Sequence, residues 1–264
     1  MPTAKRKPRV YNVDKTRTAV LAQFGNVRKA VETLTPEHLD GPTRLGDWTV
    51  RELAAHITMA TSAVARGLAA AGPGKAELLP QDWPMTSAPH AQDIAEYVTG
   101  LAADHDLATL YANAEQSLEQ ALAEHEGDAL VANRTGHMTL SDYLATRTVE
   151  LIVHTDDLND AVPGLDVPYD RQALAACTRI LADALATKAP GASTEVRIPP
   201  YAVVQCVEGP RHTRGTPPNV VETDPLTWIR LATGRTSWSA AVEDALVSAS
   251  GERADLAGLL PIMA

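Results

Sequence analysis

The sequence predicts two domains of different class: a four-helix bundle followed by a small α+β domain. Several long stretches before residue 163 repeat apolar residues at helical spacing, the periodicity of helices that pack through one face. The composition is rich in alanine, with 45% hydrophobic but only 4% aromatic residues, a bias that favours packed helices. Beyond about residue 190 the texture changes to alternating, β-branched residues, the pattern of strands. At 264 residues the chain is long enough for two domains that each bury a core. The expected division is a flexible basic tail over 1–13, the bundle over 14–165 and the α+β domain over 166–264.

Residues 14–34, "DKTRTAVLAQFGNVRKAVETL", place Val20, Phe24, Val27 and Val31 on one helical face, and Thr35-Pro36 ends the run. The second helix has the clearest start, because Thr49 and Glu52 form a capping-box pattern and Trp48 and Leu53 can staple across it. It continues to about residue 71, where "AGPGK" stops it, and a loop through Pro80, Pro84 and Pro89 follows. From 91 to 126 the periodicity predicts one long helix or two with a break near His105. The fourth helix starts between Thr139 and Ser141 and runs to the Pro163-Gly164 stop. Helices joined by both short and long connections are the mark of a bundle. Asp170 then caps a further helix to about Lys188, and "TEVRIPPYAVVQCVEGPRHTRG" reads as strands. In "TDPLTWIRLATGR" an Asp cap, Pro225 in the first turn and Gly234 as terminator specify a compact helix at both ends.

The net charge of −10 repels phosphate backbones, and the basic cluster Lys5, Arg6, Lys7 and Arg9 lies in the tail, so no nucleic-acid partner is expected. No apolar run approaches the roughly 18 residues of a membrane span, and the basic start lacks the apolar stretch of a signal peptide. A cytoplasmic location is expected. Cys177 in "LAACTRIL" and Cys206 in "AVVQCVE" read as small core residues in a reducing compartment rather than as a disulfide. The chain has no GxSxG elbow, Walker loop, CxxC, HExxH or dinucleotide fingerprint. Arg211, His212 and Arg214 cluster before the rigid "RGTPPN" segment, either as a site for an anionic group or as solvated residues beside a structural turn.

The residues with chemical potential are on the second and fourth helices. Glu150 and His154 are four apart, which brings their side chains about 5–6 Å apart, close enough to converge on one ion. Tyr143, Arg147, Glu150, His154 and Asp157 share a face, so the same pair also fits a solvated polar stripe. On the second helix, His56 falls at the edge of the face formed by Val50, Leu53, Ile57, Ala60 and Val64. There it is either a ligand or a core-edge histidine hydrogen-bonded to a carboxylate.

"DWTVRELAAHI" (47–57) and "RTVELIVHTDDL" (147–158) resemble the paired signatures of the mycothiol-dependent maleylpyruvate isomerase family, whose metal-binding domain belongs to the wider DinB-like four-helix bundles. The resemblance covers roughly residues 14–162. It implies that His56, Glu150 and His154 form a metal triad. Two imidazoles and a carboxylate suit Zn²⁺ or another borderline divalent ion, and three protein ligands leave a position open. Asp157, a turn further on, is either an acceptor that orients an imidazole or a solvated helix-end aspartate. In the resembled family the open position is associated with the thiol of a low-molecular-weight cosubstrate such as mycothiol. A bound thiol loses its proton, and the thiolate can attack a small electrophile.

Residues 213–261 resemble the C-terminal portion of sterol-carrier-like domains, in which a capped helix is followed by a shorter one, a strand and a closing helix. The region from 166 is short for a full lipid carrier, and the single phenylalanine, Phe24, lies elsewhere, so an aromatic-lined tunnel is not expected. No pattern here matches the isomerase's own second domain, which leaves maleylpyruvate unsupported as substrate. The leading expectation is therefore a metal-dependent, thiol-using transferase or isomerase acting on a small electrophile. Its rivals are a noncatalytic carrier of a lipid or other apolar ligand and a DinB-like interaction scaffold.

Overall fold

Helix α1 (Val13–Val31) starts where the Asn12 side chain accepts the Lys15 amide, and it buries Val20, Phe24, Val27 and Val31 along one side. The computed structural model describes residues 8–86, 88–209 and 218–263. Lys5, Arg6 and Lys7 of the basic tail, and Arg211, His212 and Arg214 of the later basic cluster, lie outside the described residues. Arg9 is described, and its Nε donates to Asp183 Oδ2 at 2.8 Å.

Helix α1 stops at Val31, short of the expected Thr35-Pro36, which instead starts a further turn, α2 (Pro36–Leu39), where proline at the first position has no amide to leave unpaired. Helix α3 (Val50–Ala70) carries the predicted capping box: the Glu52 amide donates to Thr49 Oγ1 at 3.3 Å, and the Thr49 amide donates to Glu52 Oε2 at 2.8 Å. The stretch from 91 is two helices, α4 (Ala91–Asp104) and α5 (Leu107–Glu124), broken at His105 because the Asp106 side chain caps the second by accepting the Thr109 amide.

A hairpin of β1 (Leu130–Asn133) and β2 (Gly136–Thr139) follows, which periodicity did not reveal because each strand has only 4 residues. It packs onto α3 at Gly67, where an added Cβ would lie 2.6 Å from the Ala132 carbonyl oxygen. Helix α6 (Leu140–Ala161) is capped by Thr139 and ends before Gly164, whose φ of 82° continues no helix. In the bundle, α3 packs against α5 and α6, and α1 packs against α6. At its centre Phe24 stacks on Tyr111 with ring centroids 5.1 Å apart, and the Tyr111 hydroxyl donates to the Ala54 carbonyl at 2.9 Å.

The chain divides into two compact units, one of residues 10–79 and 89–174, the other of 175–264 together with 1–9 and 80–88. Helix α7 (Arg171–Lys188), capped by Asp170 as its sequence predicts, runs through the division. The second unit holds β3 (Thr194–Ile198), β4 (Ala202–Cys206), β5 (Val220–Thr223), α8 (Pro225–Ala232), α9 (Trp238–Glu243) and β6 (Val247–Ser250). Its sheet has the order β4-β3-β5-β6, with β3 and β5 parallel and the other pairs antiparallel. Alternation is clean: Thr194, Val196 and Ile198 of β3 and Val204 and Cys206 of β4 are buried. Helix α8 has its Asp224 cap and stops at Gly234, and α9 and β6 follow in the expected order. The expected closing helix is reduced to a 3-10 turn, Ala257–Leu259, because Pro261 restricts the residue before it and supplies no amide.

Among the described residues, no helix is long and apolar enough to cross a membrane. Cys177 and Cys206 are free thiols in the core, and burial pushes both up, Cys206 to about 11. Neither is a nucleophile at neutral pH. A maleimide reagent is expected to leave both unlabelled in the folded protein and to label both in denaturant; rapid labelling under native conditions would contradict their burial.

Candidate metal centre

The polar stripe of α6 faces inward. Tyr143, Arg147, His154 and Asp157 are all buried, and the Glu150 side chain is only 15% exposed. The helix has buried residues on every side along most of its length, so a polar face here is not a wet one. Its side chains must find partners within the protein.

His56 meets them from α3. Its Nε2 lies 3.2 Å from His154 Nε2 and 3.7 Å from Glu150 Oε2, while His154 Nε2 lies 3.3 Å from the same carboxylate oxygen. One donor atom from each residue thus falls in a single cluster, all within 4.8 Å of one another. The two imidazoles stand edge to face, with centroids 4.7 Å apart, and the Trp48 ring packs on His56 at 4.9 Å.

Asp157 is wholly buried, and its Oδ2 lies 2.9 Å from His154 Nδ1. A carboxylate only accepts, so Nδ1 carries the proton and the lone pair of neutral His154 sits on Nε2, facing Glu150 and His56. The solvated-aspartate alternative for Asp157 is therefore excluded. His56 Nδ1, by contrast, is buried without a hydrogen-bond partner among the described residues. The Arg147 guanidinium lies over the Tyr143 ring at 4.4 Å.

Electrostatics separate the three candidate ligands. Burial depresses His56 below its ordinary value, and the nearby Glu150 carboxylate offsets this only in part. Burial alone would raise Glu150, but the adjacent His154 and His56 imidazoles and the charge of Arg147 hold it well below the usual carboxylate range. Burial likewise opposes the charging of His154, yet Asp157 and then Glu150 raise it above its ordinary value. At neutral pH the cluster thus presents a carboxylate and a neutral His56, with His154 as the group that holds a proton most readily.

Arg44 has no counterpart in the sequence reasoning. It comes from the loop between α2 and α3, and its Nε donates to Asp157 Oδ1 at 2.7 Å. A lone arginine in a turn, 113 residues from its partner, leaves no periodic trace. Trp48 was legible as half of a hydrophobic staple with Leu53, but not as the ring against His56.

A family model described as the mycothiol maleylpyruvate isomerase N-terminal domain matches residues 20–159, more than half of the chain and the whole of this cluster. The chain belongs to that family. A second model, described as bacterial SCP ortholog, matches residues 170–262, so a sterol-carrier-like domain follows the family's N-terminal domain. Two solved structures share the fold: a crystal structure of the mycothiol-dependent maleylpyruvate isomerase, 17% identical, and one of a histidine-to-alanine mutant of that isomerase, 16% identical. Each has a TM-score of 0.58, and the match covers 92% of this chain and 94% of the other. No curated protein matches the chain. The fold likeness extends over the α+β region, where no sequence pattern linked this chain to the isomerase.

Proposed function

We propose that this protein is a metal-dependent enzyme that uses a low-molecular-weight thiol of the mycothiol type to transfer to, or isomerise, a small electrophile. The observation that carries the reading is the convergence of His56 Nε2, His154 Nε2 and Glu150 Oε2, with spacings of 3.2, 3.3 and 3.7 Å. Ligands at about 2.0–2.1 Å in a tetrahedron stand roughly 3.3 Å apart, so the donor set fits a zinc-like ion held by these three atoms. Such an ion, when bound, would act as a Lewis acid that keeps the cosubstrate's sulfur deprotonated at neutral pH.

The remaining work falls to the chain. Glu150 contributes the one negative charge of the ligand set, and Asp157 Oδ2 keeps the His154 proton on Nδ1 so that Nε2 stays available. Trp48 covers the His56 ring and limits the approach of water from that side. A cytoplasmic setting, where small thiols are reduced, suits this chemistry. The match of residues 170–262 to the bacterial SCP ortholog model favours a second reading, a carrier of an apolar ligand.

The test is spectroscopic. Co²⁺-substituted protein is expected to change its visible spectrum on addition of mycothiol, and the zinc form is expected to convert members of a panel of small electrophiles only when that thiol is present. Retention of a fluorescent fatty acid with no spectral response to thiol would instead favour the carrier.

A further inference from the structure

We propose that Arg44 is a positioning residue for the metal centre, holding Asp157 so that Asp157 in turn holds the His154 ring with Nε2 toward the ion; the inference rests on the metal reading above. The two oxygens of the buried Asp157 carboxylate are divided: Oδ1 accepts Arg44 Nε at 2.7 Å and Oδ2 accepts His154 Nδ1 at 2.9 Å. A second arm of the guanidinium, Nη2, donates to Asp156 Oδ2 at 2.6 Å. Asp156 is anchored in its turn, since its Oδ1 accepts the Tyr169 hydroxyl at 3.0 Å.

One guanidinium serves two carboxylates, with Nε on Asp157 and Nη2 on Asp156. A rigid planar fork with donors on three nitrogens reaches both, whereas a lysine offers a single nitrogen on a flexible stem. Without the fork, Asp157 keeps its place in the chain but loses a charge-assisted bond on Oδ1 that helps to fix its carboxylate plane. The plane of that carboxylate sets the plane of the imidazole. Partners one hydrogen bond removed from a ligand, as Asp157 is, commonly change metal affinity ten- to hundred-fold, and Arg44 acts through that partner.

The experiment compares wild type with Arg44→Lys, Arg44→Met, Asp157→Asn and the Arg44→Lys/Asp157→Asn pair. Zn²⁺ affinity is read by competition with a chromogenic chelator, the melting temperature is taken without metal, and the His154 tautomer is read by ¹⁵N NMR of the metal-free protein. Arg44→Lys is expected to weaken zinc binding about ten-fold and Arg44→Met more, with loss of a single Nδ1–H tautomer at His154. The double variant is expected to bind no more weakly than Asp157→Asn alone, because both changes act through one carboxylate. Lower melting temperatures with unchanged zinc affinity and an unchanged tautomer would overturn the proposal and leave Arg44 a structural clamp. If Arg44→Met does not fold, Arg44→Lys and the double variant decide by the same readings. Wild type that binds no zinc would overturn the metal reading and the proposal with it; wild type that binds while every Arg44 variant binds equally would overturn the proposal alone.

Discussion

The E150A/H154A variant is expected to lose its ion altogether, while wild type carries about one Zn²⁺ per chain. Removing these two side chains leaves His56 as the sole donor of the cluster, and one imidazole does not hold zinc against buffer and water. Elemental mass spectrometry on tag-free protein checks the content directly. Zinc at about 1,000 times its dissociation constant should stabilise wild type by about 4 kcal/mol and the variant not at all. An ion retained by the variant would put the metal elsewhere and sink the reading. The pH dependence has a definite sign. Glu150 is held low and His56 is held low, so both present lone pairs across the neutral range, whereas His154 is held high and binds a proton where an ion would bind. Apparent zinc affinity should therefore fall as the pH drops through the raised His154 value, with proton release on binding in that range.

Phe24→Ala is expected to cost about 3–5 kcal/mol, the usual penalty for emptying a buried aromatic site. Phe24 is 0% exposed and stacks on Tyr111, so the change removes its own burial and one face of its neighbour's packing. The Tyr111 hydroxyl bond to Ala54 ties the same cluster to α3, two residues before His56. Urea unfolding followed by circular dichroism reads the loss as a lower midpoint at unchanged slope. A cost below about 1 kcal/mol would mean that the neighbours collapse into the space.

The helices were legible because their ends are written in local chemistry. Thr49 with Glu52, Asp106, Thr139, Asp170 and Asp224 all cap in the structure through their side chains, and such bonds need no knowledge of the tertiary fold. The β1–β2 hairpin was not legible, since its strands are too short to show a period and its seat at Gly67 is a tertiary fact. In the candidate site, the spacing of Glu150 and His154 could be read from one helix, but the burial of their stripe could not. Tyr143, Arg147 and Asp157 look like a wet face until α1 and α3 are placed against α6. The approach of His56 came from family resemblance, and Arg44 came from neither source.

The enclosure of α6 decides when the site acquires its shape. From Leu140 to Leu158 almost every side chain is packed, so the rotamers of Glu150, His154 and Asp157 are set as the bundle closes around them. The conformational entropy of arranging these groups is surrendered during folding and not when a ligand arrives. An ion captured by these side chains would meet a finished socket, and circular dichroism of the metal-free and zinc-loaded protein is expected to show the same helix content.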